Sequence, residues 1–150
     1  MLEEDLSRPE GERWVLEYLN ERFPRDHEVV VFDVGGNVGD YAIECLNSPG
    51  KNARLYCFEP GHSAFEILAR RLAGRVNVRL FNFGFGAEEK SAFLFMDNLG
   101  VGTTSLCGDD MAHFGIKPRY AETIELRTLD SFYFRLVSRI CADEKGESMC

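Results

Sequence analysis

Basic residues are scarce: 17 Lys and Arg stand against 25 Asp and Glu, for a net charge of −8 at pH 7. The basic residues are also scattered, whereas a general nucleic-acid binder shows a basic face. No apolar run approaches the ~20 residues that a membrane helix needs. Residues 1–12 are acidic and polar, unlike a secretory signal. There are five cysteines, an odd number, and no CxxC pair. Cys45 and Cys57 sit in apolar segments, where a thiol behaves as a small hydrophobe. The chain therefore reads as a reduced, cytoplasmic protein without a disulfide framework. Repeats and low-complexity stretches are absent. What is present is 45% hydrophobic and 28% charged residues over 150 positions, the composition of one soluble globular domain with a real core.

Ser7-Arg8-Pro9-Glu10 forms a capping box with proline in the first turn. Trp14, Val15, Tyr18 and Leu19 follow at helical spacing, which predicts an amphipathic helix over 9–22 that Pro24 ends. Residues 29–34, VVVFDV, are a continuous β-branched and aromatic run, as in a strand buried on both faces of a parallel sheet. Helices are expected over 40–47 and from a Ser63 cap to about Leu72, with strands over 54–58 and 77–83. That order is a right-handed α/β unit with a parallel sheet. Residues 91–96 and 123–128 alternate like antiparallel strands, joined by a polar, Gly-rich connection. A last helix is expected over 131–140, with Phe132, Leu136 and Ile140 on one face, followed by a polar tail over 142–150.

The segment Asp33-Val34-Gly35-Gly36-Asn37-Val38-Gly39 lies directly between the first strand and its helix. Glycines there let the backbone turn sharply and approach a ligand, and ligands bind at the carboxyl ends of strands in such sheets. Glu59 ends the second strand, where a carboxylate can accept hydrogen bonds from both hydroxyls of a ribose; its plainer role is a turn residue before Pro60. A nicotinamide site would read GxGxxG, whereas this loop reads DxGxNxG. An acid at Asp33 suits a cationic amino group and is an awkward neighbour for a pyrophosphate. Asp33 can also simply hold the loop backbone, and the two roles can coexist.

Taken together, FDVGGNVGDYA (Phe32 to Ala42), CFEP (Cys57 to Pro60), GTTSL (Gly102 to Leu106) and LRTLDSF (Leu126 to Phe132) resemble the FkbM-type methyltransferases in order and spacing. The resemblance implies a Rossmann-like α/β three-layer sandwich that uses S-adenosylmethionine (SAM), with the family-like core over 28–132 and a helical lead-in over 1–27. It implies methyl transfer to a hydroxyl of a sugar or small metabolite. By matched motif, Asp33, Gly35, Gly36, Asn37 and Gly39 would surround the methionine part and Glu59 would hold the ribose. Gly84-Phe85 would lie near the adenine, although Phe85 is equally suited to packing. The family continues past TLD with a KIDVEG-like central strand, which SRICADEKGESMC (Ser138 to Cys150) does not supply. The expectation is a fold truncated after three parallel strands and an antiparallel pair, able to bind SAM with or without turnover. Its first strand would then be a bare edge, inviting a homodimer unless the C-terminal helix covers it.

Positioning the acceptor is the protein's main task in such chemistry, with a general base to take the hydroxyl proton. No base can be named; Asp130 is a candidate, and an N-cap role is favoured for it. Asp109, Asp110 and His113 fall on one helical face, but with no further ligands nearby no metal is expected. His27 and His62 read as surface residues. Phe81, Phe83, Phe85, Phe93 and Phe95 recur at period two and read as packed strand faces rather than a stacking platform for bases.

Overall fold

A computed structural model describes residues 22, 28–47, 52–98, 104–113 and 115–146. The helix expected over 9–22 lies outside the described residues except for Arg22. The elements run β1 (Glu28–Val34), α1 (Asp40–Asn47), β2 (Asn52–Phe58), α2 (His62–Arg71), β3 (Val78–Phe81), β4 (Gly84–Phe85), β5 (Lys90–Met96), β6 (Thr104–Ser105), α3 (Gly108–His113), β7 (Tyr120–Arg127) and α4 (Leu129–Gly146). The molecule is mixed α/β, with one parallel sheet ordered β1-β2-β3 and one mixed sheet ordered β4-β7-β5-β6.

β2 is the middle strand of the parallel sheet, and its alternation feeds two cores. Ala53, Leu55 and Cys57 pack with Ala42 and Cys45 of α1 and with Leu68 and Leu72. Tyr56 and Phe58 point the other way, into a cluster with Phe83 and Phe132. Phe132 anchors α4 there, meeting the rings of Phe32, Phe58, Phe81, Phe83 and Phe85 at centroid distances between 5.0 and 6.0 Å. Such offset and edge-on contacts add to the area each ring buries. A third cluster, Leu94, Met96, Ile124 and Leu126, lies on one face of the mixed sheet.

The antiparallel pair occurs as expected, from Lys90 opposite Leu126 to Met96 opposite Tyr120. Several details differ from the expectation. The third strand stops at Phe81, and Gly84–Phe85 instead pairs in parallel with β7. Phe93 is 62% exposed, because β5 turns Leu94 and Met96 inward. The Gly-rich connection contains a short strand, β6, on Phe95 and Met96, and the helix α3. Finally, α4 continues through Ala142–Gly146, where a polar tail was expected. Ala, Glu and Lys are good helix formers, so a polar composition does not stop it.

Among the described residues β1 pairs only with β2, so it is an edge. Phe132 of α4 meets Phe32 of β1 on the face of the sheet. Val30 and Val34 stay 54% and 58% exposed. No helix among the described residues is long and apolar enough to cross a membrane.

Candidate functional site

The loop after β1 is fixed by its backbone. Gly35 and Gly36 N–H groups both donate to the Phe58 carbonyl, at 2.9 and 3.0 Å, drawing the loop across the end of β2. Gly35, Asn37 and Gly39 all adopt positive φ, at 86°, 46° and 90°. Asn tolerates that conformation better than most residues, and Gly adopts it freely. Gly39 also lies where α2 packs: a Cβ there would come within 2.7 Å of Leu68 Cδ1. Asp33 is 8% exposed beneath this loop, with Oδ2 only 3.3 Å from where a Gly36 Cβ would stand. Burial, together with the charge and hydrogen bond of Asp33, pushes the Cys57 thiol up to about 12. Asp33 thus lies against the underside of the loop at Gly36.

Glu59 ties this loop to the second strand end. Its Oε2 accepts the Asn37 N–H at 2.8 Å, and its Oε1 accepts the Gly61 N–H at 2.7 Å. An ionised carboxylate has about four acceptor positions, so about two remain for a ligand. Glu59 is 7% exposed. Burial raises its pKa above the ordinary value; the two amide hydrogen bonds oppose the shift and the nearby charge of Glu122 adds to it. Asn82 fixes the turn from behind, donating from Nδ2 to the carbonyls of Glu59 at 2.9 Å and Pro60 at 3.2 Å. Its Oδ1 then faces His62 Nδ1 at 2.7 Å, so His62 is bonded rather than isolated.

Helix α2 starts one residue before the expected Ser63 cap. Gly61 holds the N-cap position without a side chain to offer. A distant carboxylate takes over: Glu122 Oε1 of β7 accepts the His62 N–H at 3.0 Å. Favourable interaction with the positive end of the helix follows from the same placement.

Two adjoining spaces share Gly35 and Asn37. One is a cavity of about 180 Å³ between the sheets, with Glu59, Gly61 and Ser63 on one side and Leu94, Met96 and Glu122 on the other. The second is an open trough of about 500 Å³ along the end of β1, bordered by Phe32, Asp33, Asp40 and Tyr41. Four carboxylates line these spaces, and no Lys, Arg or His does so among the described residues. The arrangement suits an elongated ligand rich in hydrogen-bond donors or positive charge.

Of the residues expected from the sequence, Asp33, Gly35, Gly36 and Asn37 come together at the trough, and Glu59 joins them through Asn37. Gly39 begins α1, donating its N–H to the Gly36 carbonyl at 2.8 Å. Phe85 stands apart, 4.7 Å from the Phe58 ring within the aromatic cluster. Asp130 lines neither space, and the expected N-cap role belongs to Thr128, whose Oγ1 accepts the Ser131 N–H at 3.2 Å. Thr104 of GTTSL does line the cavity, whereas Gly102 and Thr103 lie outside the described residues. Among the described residues no group of three His, Cys, Asp or Glu is placed to hold a metal. Asn82, Leu94, Met96 and Glu122 are additions. Glu122 carried a signal: it shares a strand face with buried Ile124 and Leu126, where a carboxylate is out of pattern.

Comparison with protein-family models, with curated proteins and with solved structures returns no match for this chain.

Proposed function

We propose that this chain binds S-adenosylmethionine through a Rossmann-like half-site and serves methyl transfer of the FkbM type. The observation that carries the reading is the pair of joined spaces lined, among the described residues, by carboxylates and no basic residue, with buried Glu59 at their junction. A nicotinamide or nucleotide ligand brings phosphates, which such a lining repels. SAM brings a sulfonium, an amino group and a ribose diol. The remaining acceptor capacity of Glu59 suits the two hydroxyls, and the trough suits the amino-acid end. The motif resemblance over residues 29–132 points the same way.

When bound, SAM supplies an activated methyl group. The chain's residues then hold and orient: Glu59 the ribose, the Gly35–Gly36–Asn37 backbone the adjoining atoms, and Leu94 and Met96 an apolar wall. The acceptor class is a hydroxyl of a sugar or small metabolite. Binding without turnover is the second reading, favoured by the position of Asp130 outside both spaces.

Isothermal titration with SAM, S-adenosylhomocysteine and NAD tests the reading; the first two are expected to bind and NAD is not. Glu59→Ala is expected to weaken SAM by about 1–3 kcal/mol, the scale of hydrogen bonds to a charged group. SAM binding that is indifferent to this change would refute the ribose assignment. Methyl-transfer assays with hydroxylated acceptors separate the enzyme from the binding module.

A further inference from the structure

We propose that Glu122 is a specificity residue: a second ligand-facing carboxylate that makes the site prefer SAM, with its sulfonium charge, over its net-neutral thioether product, S-adenosylhomocysteine. The inference rests on the SAM reading and adds to it the residue that tells the two ligands apart.

β7 puts Glu122 on the same face as Ile124 and Leu126. Those two end in the core, whereas Glu122 ends in the cavity. Its position is held, because Oε1 accepts the His62 N–H at 3.0 Å. Gly61 marks the gap between the two acids. A Cβ on Gly61 would stand 3.0 Å from Glu59 Oε1 and 3.1 Å from Glu122 Oε1. Two carboxylates therefore flank one glycine at the edge of a cavity whose other wall is Leu94 and Met96. Like charges this close disfavour one another, in keeping with the contribution of Glu122 to the upward shift of Glu59. Asp33 and Asp40 in the adjoining trough add charge of the same sign, and the Arg71 guanidinium is engaged by Asp40 at 2.8 Å.

A positive charge held here relieves that repulsion, and an uncharged thioether does not. In SAM the sulfonium is joined to the ribose through one methylene, so a ribose on Glu59 brings the positive charge into the field of both acids. The apolar wall weakens screening and extends that field. S-adenosylhomocysteine offers the same ribose without the sulfonium charge.

The test is calorimetry of the full chain with both ligands. Wild type is expected to bind SAM more tightly than S-adenosylhomocysteine. Glu122→Gln keeps an oxygen for the His62 N–H and loses the charge. It is expected to shrink the preference by about threefold or more, the scale of one charge acting across a partly wet cavity. Glu122→Asp is expected to retain the preference. In wild type the preference is also expected to fall as salt rises. This second measurement stands even if the Gln variant folds poorly. An unchanged preference in a Gln variant that still binds S-adenosylhomocysteine overturns the inference alone, as does a salt-independent preference in wild type. Failure of wild type to bind either ligand overturns the SAM reading and this inference with it.

Discussion

Glu59 does two jobs whose pH dependences run in opposite directions. Its pKa lies above the ordinary value of 4.5, chiefly through burial. An acid with a raised folded-state pKa favours folding while protonated, and loses that contribution as pH rises through the raised value. A ribose diol, by contrast, donates best to the ionised form. Affinity for SAM is therefore expected to increase as pH rises through the raised pKa of Glu59, while the intrinsic stability contribution of Glu59 declines. Titration calorimetry and thermal melts over the same pH series check this. Glu59→Gln should flatten the part of both trends that belongs to this group. Gly39 makes a second test at the same scale. Its φ of 90° and the 2.7 Å approach to Leu68 Cδ1 leave no room for a methyl. Gly39→Ala is expected to cost about 1–3 kcal/mol in denaturant unfolding, through overpacking and backbone strain.

At the level of elements, α4 meets the sheet through the Phe132 ring, with Leu136 packed against the same cluster. Phe132 touches five other phenylalanines, and Phe132→Ala is expected to cost about 3–5 kcal/mol by urea unfolding. Tyr133, its exposed neighbour, should be nearly silent when changed to Ala. The parallel unit is legible from local signals: the VVVFDV run, the glycines that end it, and the second apolar strand closed by Glu59-Pro60. The loop, Glu59 and their proximity follow from that topology. The far wall of the cavity does not, because it comes from β5, β6 and β7, whose approach depends on long-range pairing. Three of its members left a trace nonetheless. Glu122 breaks the apolar alternation of its strand, and Leu94 and Met96 sit at alternate positions of theirs. Phe85 and Thr128 show the converse: a motif places a residue in sequence, while packing and capping geometry decide its task.

For the molecule as a whole, the cavity lies where two sheets with different strand directions meet. One sheet supplies the loop and Glu59, the other Leu94, Met96 and Glu122. Binding between them should couple the sheets, stabilising the fold by mass action as ligand exceeds its dissociation constant. The core cysteines offer a way to follow this. Burial pushes Cys45 up to about 11 and Cys57 up to about 12, while Cys107 is exposed. Alkylation requires the thiolate, so a reagent should modify Cys107 promptly and reach the buried pair only when the α1–β2 core opens. Peptide mapping by mass spectrometry should show labelling of Cys45 and Cys57 slowing on addition of SAM. Equal labelling rates for Cys57 and Cys107 in the folded protein would contradict the packing described. The buried thiols, inert while the parallel sheet stays closed, thus become a built-in clock for its opening, one that requires no engineered probe.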